Sequence, residues 1–75
     1  MKVTETHVVK ETYKHPKNGS EMTVTAVLEI DLIKWGVFSI KTTTENKEAT
    51  LKGEKEATQK AWNKAYVLAQ KIITL

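Results

Sequence analysis

Apolar residues recur at every second position along residues 21–33, which names a strand and both of its faces. Met22, Val24, Ala26, Leu28, Ile30 and Leu32 share one face, and Thr23, Thr25, Val27, Glu29, Asp31 and Ile33 share the other. Six apolar residues at period two predict a half-buried strand. A weaker alternation predicts a strand over 2–15. The Thr42-Thr43-Thr44 run extends a third strand over 37–44, because Thr favours extended backbone. Glu45-Asn46-Lys47 reads as a turn into a short fourth strand over 48–51.

The reversals between these segments predict their register. Asn18-Gly19 between alternating runs signals a two-residue type I′ turn, with Lys17 opposite Ser20, Tyr13 opposite Val24 and Val9 opposite Leu28. Lys34-Trp35-Gly36 predicts a three-residue loop with Gly36 in the left-handed region. Ile33 then pairs with Val37, Ile30 with Ile40 and Glu29 with Lys41. Both turns put the same face of the central strand in the core.

From Gly53 onward the period becomes helical. Ala57, Ala61, Ala65, Leu68, Ala69 and Ile72 recur at three- and four-residue steps, predicting a helix over 54–73 with Gly53 as its N-cap. Glu54 and Glu56 in the first turn and Lys71 in the last suit the helix dipole. The alanines let a helix approach a sheet closely. The expected fold class is therefore α+β: one small domain over 1–75, an antiparallel β-meander packed on a C-terminal helix. Thirteen-residue strands would run to about 43 Å, against a diameter of about 29 Å for a globule of this length. The first hairpin must either coil through a bulge or project beyond the helix.

Composition narrows the function classes. The chain has 75 residues and no cysteine, so neither disulfides nor thiolate metal sites support it. Met1-Lys2-Val3-Thr4-Glu5 has no apolar run and no stretch is long enough to span a membrane, so a cytoplasmic protein with no membrane partner is expected. The net charge of +3 comes from the last third, where five lysines face two glutamates. Lys60, Lys64 and Lys71 line one helix face and define a nucleic-acid-binding alternative. The complete absence of Arg counts against it, since bidentate reading of phosphate and guanine is mostly Arg chemistry.

No residue pattern carries catalysis. There is no cysteine nucleophile, no Gly-rich phosphate loop and no metal-spaced His pair, so no catalytic residue, metal, cofactor or small-molecule substrate is assigned. His7 shares a face with Glu5 and Glu11, yet His7 and Glu11 stand about 13 Å apart along a strand. Inward charges of this kind guard a sheet edge against pairing.

The residues singled out for contact are aromatic and apolar. Ile33, Trp35 and Val37 sit around the second reversal, Tyr13 near the first, and Trp62 and Tyr66 one turn apart on the helix. Trp and Tyr are enriched in binding hot spots. The expectation is a non-catalytic interaction module acting by self-association or by binding another protein. Three strands followed by a helix resembles the latter part of a double-stranded-RNA-binding domain. That family opens its last helix with Lys-Lys-x-Ala-Lys, where Glu54-Lys55-Glu56-Ala57-Thr58 keeps one lysine of three, and its first helix has no counterpart here. The chain is not assigned to it. Its size, Lys and Thr bias and lack of Arg and Cys look like those of small accessory proteins of low-GC bacteria, phages or plasmids.

Overall fold

A computed structural model describes residues 3–46 and 51–74. It comprises β1 (Thr4–Lys14), β2 (Glu21–Asp31), β3 (Phe38–Thr44) and α1 (Glu54–Ile73). The strands form one antiparallel sheet in the order β1-β2-β3, with α1 across one face. This is the expected α+β meander. Residues 48–50 of the expected fourth strand lie outside the described residues.

Both registers differ from expectation by two residues. Tyr13 stands opposite Met22 and Val9 opposite Ala26. The first reversal is wider than a type I′ turn. His15 N–H donates to the Ser20 carbonyl at 2.8 Å and Gly19 N–H to the His15 carbonyl at 2.9 Å, enclosing residues 16–19. Pro16 has its φ fixed near the value a right-handed bend needs, so the turn starts there. Gly19 alone takes a positive φ, 71°; a type I′ turn would demand one at Asn18 as well. Asn18 instead accepts the Ser20 N–H on its side chain at 2.9 Å.

The second reversal is widened by Asp31. Its carboxylate accepts the N–H groups of Ile33 at 2.9 Å and Lys34 at 3.0 Å, bending the chain out of the ladder before Ile33 can pair. Lys34 N–H first, and Ile33 N–H second, hold the Asp31 carboxyl below its ordinary range. Gly36 does take a positive φ, 108°. Ile30 is opposite Phe38, Leu28 opposite Ile40, and Glu29 opposite Ser39. Glu29 and Lys41 therefore do not pair. A shift of two leaves the side chains within the ladder on their expected faces, because the strand period is two. Leu32, expected on the core face, lies past the end of β2 in the Asp31 bend and is exposed.

The core is thin and alanine-rich. Val24, Ala26, Leu28 and Ile30 of β2 are fully buried beneath Ala57, Ala61, Ala65 and Ala69. With only methyl groups along the stripe, the helix axis lies close to the central strand. Glu54 closes the other side of the helix start. Its carboxylate accepts Asn46 Nδ2–H and the Leu51 N–H, both at 3.0 Å, and these bonds pull its carboxyl below the usual range. Gly53 enters the helix at φ 93°, and a Cβ there would stand 3.5 Å from the Tyr13 ring.

The ladder from Thr4 to Lys14 runs unbroken against Asp31 to Glu21. The hairpin therefore does not coil through a bulge, and the body is a slab of 46 × 24 × 15 Å. Its radius of gyration is 14.3 Å, against about 11 Å for a compact globule of this length. The helix begins at the level of Tyr13, so the turn at residues 15–20 projects past it.

Candidate functional site

The two edges of this sheet differ in chemistry. β1 carries Glu5, His7, Lys10, Glu11 and Lys14 among its 11 residues. β3, Phe-Ser-Ile-Lys-Thr-Thr-Thr, carries Lys41 as its one charge. Charges on and behind an edge strand oppose pairing with another chain, and an uncharged β-branched edge invites it.

The helix repeats the asymmetry. On its β1 side stand Glu56, Lys60 and Lys64. Lys64 forms an ion pair with Glu11, and Lys60 lies 3.6 Å from Glu56. The Lys64 hydrogen bond, joined by the fields of Lys64 and Lys60, holds the Glu11 carboxyl below its ordinary range. On the β3 side stand Thr58, Trp62 and Tyr66. The Trp62 and Tyr66 rings stack with centroids 5.3 Å apart and planes 15° from parallel. Tyr66 then meets Phe38 of β3 edge-on at 5.8 Å and 68°. Such pairs each add about 1 kcal/mol beyond their buried area. Trp62 and Tyr66 remain 39% and 40% exposed.

The apolar strip continues to the end of the slab. Ile73 lies two turns beyond Tyr66 on the same helix flank, and its carbonyl accepts the Trp35 indole N–H at 3.0 Å. This bond satisfies one of the open carbonyls of the helix C-terminus. It also draws Trp35 toward the helix layer. Trp35, Val37 and Ile33 are all exposed, and the Trp35–Ile73 bond sets their loop beside the end of the helix that carries Trp62 and Tyr66.

The contact residues read from the sequence thus divide in two. Trp35, Val37, Trp62 and Tyr66 gather along the β3 side, with Ile33 on the same loop. Tyr13 is at the far end, packed beneath Gly53, with its hydroxyl buried and unpartnered among the described residues. On the outer sheet face Val8 stands opposite Val27, ringed by Thr, Lys and Glu, while Ile33 and Val37 lie outside the ladder. Of the helix lysines, Lys60 and Lys64 are engaged with glutamates, so the basic stripe offers less free charge than its residue count suggests.

His7 Nε2 lies 2.8 Å from Glu5 Oε1 on the helix-facing side of β1. Among the described residues no three His, Asp or Glu side chains converge on a common point. Among the same residues, no helix is long and apolar enough to cross a membrane.

The sequence signal for the β3 side was indirect. Charge density in 4–14 and in 38–44 differs plainly, but the contrast gains meaning only once both are known to be edges. Phe38 meets Tyr66 through tertiary packing alone. No family model matches the chain, no curated protein matches it, and no solved structure matches it.

Proposed function

We propose that this chain is a non-catalytic interaction module that works by self-association or by binding another protein, and that its contact surface is the β3 side: the strand edge that is unpaired among the described residues, the Trp62–Tyr66 stack and the Trp35 loop. The observation that carries the reading is the edge asymmetry. One flank is occupied by charges that pair with one another. The other exposes two stacked aromatic rings beside a strand with one charge. Aromatic anchors beside an open strand edge suit strand addition, in which main-chain bonds give affinity and side-chain pockets give specificity.

The test is photo-crosslinking in the native host, with a photoreactive residue replacing Trp62 in one variant and Lys60 in another. The reading expects adducts from position 62 and few or none from position 60. Equal yields from both flanks, or none from either, overturn it. The adduct's mass then separates a second copy from a different protein.

A further inference from the structure

The ladder alternation determines which backbone groups β3 offers. Asp31 N–H donates to the Val37 carbonyl at 3.0 Å and Glu45 N–H to the Thr23 carbonyl at 3.4 Å. Odd-numbered residues of β3 therefore bond inward to β2. The N–H and C=O groups of Phe38, Ile40 and Thr42 point away from the sheet. These same three residues carry their side chains on the helix face. Outward backbone groups and the aromatic flank of α1 thus border one shelf. Phe38 and Ile40 are part-covered, as Val9, Glu11 and Tyr13 are on the opposite side, and the shelf is open at Thr42, which is exposed.

We infer that the occupant of this shelf is a second copy of the chain, paired antiparallel through β3 about a two-fold axis at Ile40. The inference rests on the interaction-module reading and names its partner. Two constraints narrow the arrangement. Only a register that sets even residues opposite even residues lets the outward groups bond. An axis at residue 41 would oppose Lys41 to its own copy, which is unfavourable. An axis at Ile40 instead places Lys41 opposite Ser39, Phe38 opposite Thr42, and the two Ile40 side chains against each other, with each even pair exchanging both its N–H···O bonds.

Spacing argues for the same partner. Across the axis the two β2 strands, and the helices above them, are three strand spacings apart, about 14 Å. Helices in ordinary contact lie about 8–10 Å apart. Alanine flanks would leave that excess empty. Trp62 and Tyr66 from each copy are of the size to fill it. Tyr66 meets Phe38 edge-on, and Trp62 stacks on Tyr66 one helical turn back. The charge pattern agrees, since each near-neutral flank meets its own like and the charged β1 sides face outward.

Light scattering coupled to size exclusion, from micromolar to millimolar chain, is the test. The wild type should run at twice the 8.5 kDa chain mass. Thr42→Pro removes an N–H that bonds nothing within the sheet, so it should keep the circular dichroism spectrum and raise the dimer dissociation constant at least tenfold. Thr42→Lys, a charge at an exposed edge position, should do the same and serves if the proline variant fails to fold. Thr6→Pro, at an outward amide of β1, should remain dimeric. A wild type that stays at one chain mass, or equal dissociation by Thr6→Pro, overturns the pairing. A monomer whose position 62 still crosslinks to another protein would sink this inference alone, whereas a monomer with no such crosslink would sink the module reading too.

Discussion

The Lys64 ammonium is ion-paired with the Glu11 carboxylate, and this bond fastens the middle of the helix to the middle of the edge strand. The contact lets a carboxylate sit on the nominally buried face of β1. The consequence is a titration. Because the folded-state pKa of Glu11 lies below its ordinary 4.5, its contribution to stability is present above that value and is lost as pH falls through the lower folded value. Asp31 and Glu54 are lowered in the same direction and act over the same acid range. Thermal unfolding followed from pH 7 to pH 2 should show a falling midpoint below about 4.5. Glu11→Gln should lower the midpoint at pH 7 and flatten that acid limb. An unchanged limb would show that the pair contributes nothing.

Tyr13→Phe should stabilise the protein. The Tyr13 hydroxyl is buried and has no partner among the described residues, so it pays desolvation without a bond in return. Deleting it should raise stability by about 1 kcal/mol, read as a shift in the urea midpoint at constant slope. A loss of stability would mean that the hydroxyl is satisfied.

Ala65→Leu should be costly even though it adds apolar surface. Ala65 is fully buried against the fully buried residues of β2, and the alanine stripe sets the helix-to-sheet distance. A larger side chain must lift the helix, at about 2 kcal/mol. Ala61→Leu should behave alike. Val67→Leu on the exposed face should be neutral, which separates crowding from helix propensity.

Glu54→Ala should cost about 2 kcal/mol, because it removes a charged acceptor shared by Asn46 and Leu51 and leaves the segment before the helix without its tether. Chemical denaturation at pH 7 reads the loss. The same substitution at Glu56, which is exposed and faces Lys60 across one turn, should cost far less.

The order of the elements and the buried face of each strand could be read from the sequence because both depend on period, which is local. The Val24–Ile30 alternation and the alanine stripe each repeat often enough to outvote any single residue. Register was read less well, because turn geometry depends on one or two side chains acting on the backbone. Pro16 advanced the first bend, and Asp31 captured two N–H groups that a three-residue loop would have left to the ladder. The faces survived because both shifts were even. Trp62 and Tyr66 were visible as a one-turn pair. Their alignment with Phe38 and with a charge-poor edge was not, since nothing local says which strand lies under which flank of a helix.

A body 15 Å thick has no deep interior. In so thin a body, resistance to hydrogen exchange along the sheet edges must come from bonding and cannot come from depth. In a single copy the amides of Phe38, Ile40 and Thr42 should exchange with solvent almost as fast as those of a turn, while their neighbours Ser39, Lys41 and Thr43 stay protected. The alternation of fast and slow along one short strand would be a direct print of the ladder, and whatever docks there would silence the fast half.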